Sequence, residues 1–149
     1  MINPNTPASA SADLVYRLDQ QVGYVLRQAQ QRHTTLFAAT MIEDITPTQW
    51  AAVARLAELG PQSQNQLGRL TAMDAATIKG VIDRLSARGL THARADPDDA
   101  RRLLIELTEA GAEIFRRAAP VASEITDRTL APLSEPERQQ LVDLLRRII

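Results

Sequence analysis

The chain contains no cysteine, which excludes several kinds of site at once. Disulfide bonds, zinc sites built on thiolates and redox sensing by a thiol all need a residue that this sequence does not have. The two histidines, His33 and His92, are far apart in the chain, and without cysteine they make a poor transition-metal site. We therefore predict neither a metal ion nor a cofactor.

Long apolar runs are absent as well. Hydrophobic residues make up 44% of the chain. No run, however, approaches the ~18 residues that a membrane-spanning helix needs. Residues 1–12 have neither the basic region nor the apolar segment of a secretory signal, and their Pro, Asn and Ser content is typical of a disordered tail. These features predict a globular cytoplasmic protein without a membrane partner.

Neither sign of charge predominates. The chain has 17 Lys and Arg residues against 18 Asp and Glu residues, and this balance alone argues against a nucleic-acid-binding protein. The distribution is more informative, because residues 69–102 contain seven cations and five anions, a difference of two. This local excess is modest, but a dimer would double it.

Residues 63–89 have the pattern of two helices joined by a short turn. Ser63 and Asp74 are helix-capping residues, and residues 71–73 between the helices are too few for anything but a turn. In the second helix four aliphatic residues recur at i, i+3, i+4 and i+7, starting at Ile78, and Gly89 ends the helix. Small and polar residues occupy its other faces. Proteins place a helix of this kind in the DNA major groove.

A small two-stranded wing is predicted after this helix. The strand candidates, residues 90–95 and 103–107, flank the turn residues 96–99. Apolar residues alternate along the second candidate as on one buried strand face: Leu103, Ile105 and Leu107. Arg101 follows the turn, so a basic tip is expected where an arginine can enter a narrow minor groove. We expect Asp99 to orient Arg101 by a charge-assisted hydrogen bond, with a plain turn residue as the alternative.

Helices are also predicted on both sides of this region. The first runs from Asp13 to about His33, and another extends from its cap at Thr108 to about Leu130. A capping box at Ser134 opens the last one. Their aliphatic stripes include side chains that one small winged domain cannot cover: Leu14, Leu18, Val22, Ile125, Leu141 and Leu145. We therefore expect residues 13–45 and 108–149 to form a homodimerisation region around residues 46–107, with an intramolecular bundle as the alternative.

The wing region resembles a known family. Asp99-x-Arg101, five further residues and then Leu107-Thr108-Glu109-Ala110-Gly111 is similar to the wing and exit signature of the MarR family of winged helix-turn-helix regulators. Residues 46–50 and 85–90 fit the same family, and the resemblance covers residues 13–149. It implies a mainly α fold with a small β-wing, and a dimeric repressor that a small ligand releases from a pseudo-palindromic operator. Residues 31–33 and 67–80 further resemble a subgroup that represses nicotinate-catabolism genes.

The pattern and the resemblance together predict a set of DNA-contacting residues. They lie at the two helix N-termini, on the outer face of the second helix and in the wing. The set is Ser63, Asp74, Ala76, Thr77, Lys79, Gly80, Arg84, Asp99, Arg101 and Arg102.

A ligand pocket is expected where, in this family, the dimerisation helices meet the DNA-binding domain. The subgroup resemblance implies a small aromatic carboxylate, with 6-hydroxynicotinate as the first compound to test. Such a ligand needs a cation, a hydrogen-bond donor and an apolar wall. Arg17 and His33 are candidates for the first two, and Tyr24, Phe37 and Trp50 for the wall. The alternatives are a solvated Arg17, a hydrogen-bonded His33 at a helix end, and aromatic residues that only fill the core.

Two other classes of protein stay open at this point. A winged-helix module that binds another protein would have the same pattern without a DNA target, and the near-neutral charge is compatible with it. An enzyme would need a catalytic constellation, but the sequence has no Gly-rich phosphate loop, no nucleophile elbow and no paired carboxylates beside a base.

Overall fold

The structure is a computed structural model that describes residues 15–149. The predicted disordered tail and the first two residues of the predicted first helix, Asp13 and Leu14, lie outside the described residues. Within this range a 3-10 turn at Leu18–Gln20 precedes six α-helices and two strands. Their bounds are α1 Val22–Thr40, α2 Pro47–Leu59, α3 Gln64–Leu70, α4 Ala75–Ala87, β1 Thr91–Ala95, β2 Leu103–Leu107, α5 Glu109–Thr129 and α6 Glu135–Arg146.

The prediction of one continuous helix from Asp13 to about His33 is wrong. Residues 15–17 have no regular structure, and Gln21 interrupts the chain with extended dihedral angles (φ −86°, ψ 127°). The side chains of Val15 and Leu18 are exposed, so no packing within the protomer supports a helix there. Short helices in proteins depend on such packing more than on intrinsic propensity. At its other end α1 continues past His33 to Thr40.

Helices α2 to α6 begin at capping residues, and the caps predicted at Ser63, Asp74, Thr108 and Ser134 are present. Thr46 and Gln49 form a complete capping box at the start of α2. Ser63 accepts a hydrogen bond from the Gln66 amide at 3.3 Å and so caps α3. Thr108 caps α5 through the Gly111 amide, and Ser134 opens α6 with a second complete box. These local bonds define where the helices begin, because they satisfy amides that have no partner inside a helix.

The hydrophobic core joins α2, α3, α4, β2 and the beginning of α5. On α4 the buried face is the predicted aliphatic stripe: Ile78, Val81, Ile82 and Leu85. The remaining buried members of the core are Ile45, Ala52, Val53, Leu56, Leu67, Leu90, Ile105 and Ile114. Burial on this scale contributes about 1.5–3 kcal/mol for each large aliphatic side chain. The core therefore holds α4 rigidly, with its opposite face directed outward.

The two strands form an antiparallel hairpin in which Thr91 pairs with Leu107 and Ala95 with Leu103. Gln62 adds a short bridge on the other side of β2, where it exchanges two backbone hydrogen bonds with Ile105. The prediction that Leu103 belongs to a buried strand face is wrong, because its side chain is 59% exposed. Leu103 pairs at the end of the hairpin nearest the turn, beyond the buried cluster that covers Ile105.

The terminal segments leave apolar surface uncovered within one protomer. Ten of the twelve large exposed hydrophobic side chains of residues 15–149 lie at the two ends of the described chain: Val15, Tyr16, Leu18, Val22, Val25, Leu26, Leu141, Leu144, Ile148 and Ile149. No residue of α6 is buried. Ile125, which was expected to belong to this uncovered surface, is instead 1% exposed, because α5 packs against α1 within the protomer.

Candidate DNA interface and effector pocket

The outer face of α4 is built from exposed small and polar side chains. Ala76, Thr77 and Lys79 are exposed, opposite the buried stripe of the same helix. The carboxylate of Asp74 accepts a hydrogen bond from the Thr77 amide at 2.7 Å, and this bond holds the pKa of Asp74 below its usual value. Asp74 therefore stays ionised and fixes the first turn of α4, the turn that would approach a DNA backbone.

Two basic side chains of α4 rest against the helix in the absence of a partner. Lys79 pairs with Asp83 at 2.6 Å, one helical turn away, with both side chains well exposed. The Arg84 guanidinium lies over Gly80, where an added Cβ atom would stand 3.4 Å from Nη2. Exposed i,i+4 pairs contribute only about 0.3–0.5 kcal/mol, so the contact with Asp83 holds Lys79 only weakly.

The wing turn is held by a buried carboxylate. Asp96 is 4% exposed and accepts hydrogen bonds from the Asp98 amide at 2.9 Å and from Nε of Arg102 at 2.6 Å. These two bonds, in that order, lower the pKa of Asp96, and the same ion pair raises the pKa of Arg102. Arg102 is thus engaged in positioning the turn, a role that the sequence pattern did not separate from DNA contact.

Among the arginines of the wing, Arg101 has the most exposed side chain. Its side chain is 95% exposed, and its backbone amide donates to Oδ1 of Asp99 at 3.1 Å. The guanidinium Nε is 3.5 Å from the same oxygen, so the predicted orienting contact with Asp99 is loose. A cleft of about 420 Å³ separates the wing from α3, with Ser63 and Arg69 on the helix side. Ser63 is half-buried there as a cap.

Below the winged domain, a cavity of about 350 Å³ opens between α1, α2 and α5. Three of the five predicted ligand residues line it, namely His33, Phe37 and Trp50. Trp50 is further supported from behind by Phe115, with the two rings stacked at a centroid distance of 5.7 Å. The structure therefore brings a histidine and two aromatic rings from separate helices into one site.

The remaining wall comes from α5, which sequence reasoning did not assign to the pocket. Its lining residues are Ala119, Ala122, Ser123, Ile125 and Thr126. The signal that points to them is their size, because three small residues at i, i+3 and i+4 leave a hollow on a helix whose neighbouring positions carry large apolar side chains. Ser123 and Thr126 add hydroxyl groups to an otherwise apolar wall.

Arg17 and Tyr24, the other two predicted ligand residues, do not line this cavity. Arg17 lies before the 3-10 turn and pairs with Asp19 at 3.2 Å. The Tyr24 hydroxyl accepts a hydrogen bond from Gln28 at 3.2 Å, and its ring lies 5.6 Å from the Arg27 guanidinium. Both residues belong to the segment whose apolar side chains are uncovered in the protomer.

Two further features bear on the class of protein. Within residues 15–149 no helix is both long and apolar enough to cross a bilayer. The same part of the chain contains no group of three or more His, Asp or Glu side chains placed to hold a metal ion.

Sequence comparison identifies close relatives. A model of the MarR family matches residues 45–103, from two residues before α2 to the first residue of β2. The HTH-type transcriptional repressor NicR of Pseudomonas putida is 38% identical over 151 residues, a match that covers 100% of this chain and 96% of NicR.

Two solved structures share the fold, each with a TM-score of 0.85. A probable transcriptional regulator from Pseudomonas aeruginosa is 56% identical, over 89% of this chain and 100% of the other. BpsR from Bordetella bronchiseptica, whose DNA binding is regulated by 6-hydroxynicotinic acid, is 37% identical, over 89% of this chain and 96% of BpsR. The chain therefore belongs to the MarR family of winged helix-turn-helix transcriptional regulators.

Proposed function

We propose that this protein is a homodimeric repressor that binds a pseudo-palindromic operator in double-stranded DNA and leaves it when a small aromatic carboxylate binds. The observation that carries the proposal is the pairing of an exposed α4 face, which presents Lys79 and Arg84, with a wing tip whose Arg101 is almost fully exposed. The protein acts in the cytoplasm as a binding protein and not as an enzyme. NicR, a repressor, and BpsR, regulated by 6-hydroxynicotinic acid, support the proposal by similarity.

The DNA-binding role falls on residues 46–107, and dimerisation on residues 13–45 and 108–149. In this arrangement α4 enters the major groove, where Ala76, Thr77 and Gly80 allow close approach. Lys79 and Arg84 leave their resting contacts to reach phosphate or base edges. Ser63 and Asp74 stand beside the phosphates at the starts of their helices.

In the wing, the proposal divides the roles of neighbouring residues. Arg101 enters the minor groove, where negative potential is concentrated. Asp99 fixes the backbone of Arg101 by accepting a hydrogen bond from its amide. Arg102 holds the turn through Asp96 and reaches DNA only with the part of its side chain that remains exposed.

Operator binding tests this part of the proposal. Fluorescence anisotropy with DNA from the region upstream of its own gene should show tight binding that weakens steeply with salt, because phosphate contacts release counterions. Arg101→Ala should weaken binding roughly tenfold or more. Arg116→Ala, which removes another exposed arginine paired only with Glu113 on α5, is the matched control and should bind as the wild type does. Equal affinity of Arg101→Ala and the wild type at physiological salt would remove the wing from the DNA interface.

The effector part of the proposal places an aromatic acid in the cavity between α1, α2 and α5. A volume of about 350 Å³ accommodates one small ring, and Phe37 and Trp50 offer it aromatic faces. A ligand that binds better to a conformation with misplaced α4 helices must weaken DNA binding by the same factor, typically about 5–150-fold. We keep Arg17 as the proposed partner of the carboxylate and Tyr24 as part of the wall. Both are contributed by the uncovered N-terminal segment.

Calorimetric titration with 6-hydroxynicotinate, nicotinate, salicylate and 4-hydroxybenzoate tests the effector. Binding of at least one acid, together with release of DNA by that acid, is the expected result. If none binds, or if binding leaves operator affinity unchanged, the effector assignment fails while the DNA-binding assignment stands. If binding survives both Arg17→Ala and His33→Ala, the ligand class holds but the pocket lies elsewhere.

A further inference from the structure

The imidazole of His33 is joined to α5 through one of its two nitrogens. Nδ1 lies 2.9 Å from Oγ1 of Thr129, in the last turn of α5. The same hydroxyl donates to the carbonyl oxygen of Ile125 at 2.8 Å. No other hydrogen bond to His33 is present among residues 15–149, so its second nitrogen, Nε2, is the one left for the cavity that His33 lines.

The number of hydrogens available to the Thr129 hydroxyl and to Nδ1 determines which His33 tautomer fits these two contacts. The Thr129 hydroxyl has a single hydrogen and lies between two potential acceptors. If that hydrogen is directed to Ile125, Nδ1–H can donate to Oγ1, and both short contacts are hydrogen bonds. If it is directed to Nδ1, the hydroxyl and carbonyl oxygens face each other at 2.8 Å with no proton between them. The first arrangement contains one more hydrogen bond and no repulsive contact, so it is favoured.

We propose that Thr129 holds a proton on Nδ1 of His33, so that in the neutral ring Nε2 faces the effector as a hydrogen-bond acceptor. The pocket then selects aromatic acids that carry an N–H or O–H donor on the ring in addition to the carboxylate. In water 6-hydroxynicotinate is mainly the ring-N–H lactam and provides such a donor, whereas nicotinate offers only a ring-nitrogen acceptor. This inference rests on the effector proposed above and reverses the donor role that the residue type alone suggested for His33.

Nitrogen NMR tests the tautomer without any ligand. Long-range proton–nitrogen spectra distinguish Nδ1–H from Nε2–H, and His92→Asn assigns the signals because the chain has only two histidines. The expected result is a His33 ring protonated at Nδ1 in the wild type and in Thr129→Ser. In Thr129→Val the two neutral tautomers should both be populated. A ring protonated at Nε2 in the wild type would overturn the inference and leave the effector proposal intact.

Affinity ratios test the selection that follows from the tautomer. Calorimetry with 6-hydroxynicotinate against nicotinate, and 4-hydroxybenzoate against benzoate, compares acids with and without the ring donor. The wild type and Thr129→Ser should prefer the donor-bearing acid roughly tenfold or more, because the other leaves Nε2 without a partner. Thr129→Val should reduce this ratio several-fold. Thr35→Val removes a similar hydroxyl that donates to the Gln31 carbonyl away from the cavity, and it should keep the wild-type ratio.

The outcomes separate the two proposals. Equal affinities for donor-bearing and donor-free acids overturn the inference while the effector class survives. A complex in which bound His33 carries protons on both nitrogens also overturns it, since the ring would then act only as a donor. Absence of binding by all four acids overturns the effector proposal, and the selection inferred here is overturned with it.

Discussion

Gly111 lies where the start of α5 passes closest to the hairpin. A Cβ atom at this position would be 2.0 Å from the carbonyl oxygen of Leu90 and 3.1 Å from Cδ2 of Leu107. Because the first obstacle is backbone, no side-chain rotation can relieve the clash. The glycine that ends the family signature is therefore required by packing between α5 and the wing.

We expect Gly111→Ala to lower the free energy of unfolding by ~3 kcal/mol or more, at the upper end of what overpacking typically causes. Gly23→Ala is the matched control, since a Cβ atom there meets nothing within 4 Å and alanine favours the helix by ~1 kcal/mol. Urea unfolding of both variants measures the difference. Wild-type stability of Gly111→Ala would show that the hairpin can move away from α5.

Asp96 links the stability of the wing to pH. Its pKa in the folded protein is lowered by the Asp98 amide and by Arg102, below the value of ~3.9 expected in the unfolded chain. A lowered folded pKa means that its stabilising contribution is fully present above pH ~4 and is lost as the pH falls through the folded value. Asp96→Asn should therefore melt below the wild type at neutral pH, and the gap should narrow as the solution is acidified. Melting temperatures that stay a constant distance apart down to pH ~2 would contradict this account.

At the scale of elements, the end of α4 is tied to the loop between α1 and α2. The guanidinium of Arg88 donates to the Glu43 carbonyl oxygen at 2.6 Å, and the Glu43 carboxylate pairs with Arg117 of α5 at 3.0 Å. Glu43 and Asp44 both have positive φ, 56° and 52°, a conformation that is unfavourable for residues other than glycine. A strained loop thus joins α1, which carries two pocket residues, to the helix proposed to read DNA.

We predict that this loop transmits effector binding to α4. Arg88→Gln should retain operator binding and effector binding measured separately, while the ratio of operator affinities without and with effector falls towards one. That ratio is expected to lie between about 5 and 150 in the wild type. Arg55→Gln removes another guanidinium-to-carbonyl bond, from Arg55 to Leu70, away from the loop, and should keep the wild-type ratio. An unchanged ratio in Arg88→Gln would exclude the loop as the link.

In the whole molecule, the uncovered apolar surface of α6 predicts an interface with a second copy of the chain. Leu141, Leu144, Leu145 and Ile148 line a shallow apolar groove of about 380 Å³, and the exposed aliphatic residues of the N-terminal segment add to the same kind of surface. In a two-fold symmetric dimer, each such side chain would be buried in both protomers. It should also place the two α4 helices about 34–36 Å apart, one turn of DNA.

We expect Leu141→Glu combined with Leu144→Glu to give monomers at micromolar concentration in sedimentation experiments. Four buried side chains would be lost per dimer, and at ~1.5 kcal/mol each this weakens association by more than about 10⁴-fold. Gln140→Glu, an exposed polar position on the same helix, is the matched control and should remain dimeric. Circular dichroism should retain the helical signal of α2 to α5 in all variants, because the core that supports these helices contains no residue of α6. A double variant that stays dimeric would place the interface elsewhere.

Helix boundaries and helix faces could be predicted from the sequence, because their signals are local. Ser63, Asp74, Thr108 and Ser134 marked helix starts correctly, because a cap is a hydrogen bond between residues three positions apart. The stripe on α4 predicted its buried face for a similar reason, since helical period places those side chains together whatever they pack against. The family resemblance added the expectation of a repressor that a small ligand releases from DNA, which local pattern alone left open.

Features that depend on contacts between distant parts of the chain required the folded structure. It covered Ile125 with α1, left Leu103 exposed, and began α1 only at Val22, because the side chains of residues 15–20 are exposed. Arg102 forms an ion pair with Asp96, and small residues of α5 complete the wall of the pocket. An aliphatic stripe predicts that its side chains will be buried, and an arginine predicts an anionic partner. Which partner provides either depends on how the helices pack, a property that periodicity and residue type do not contain.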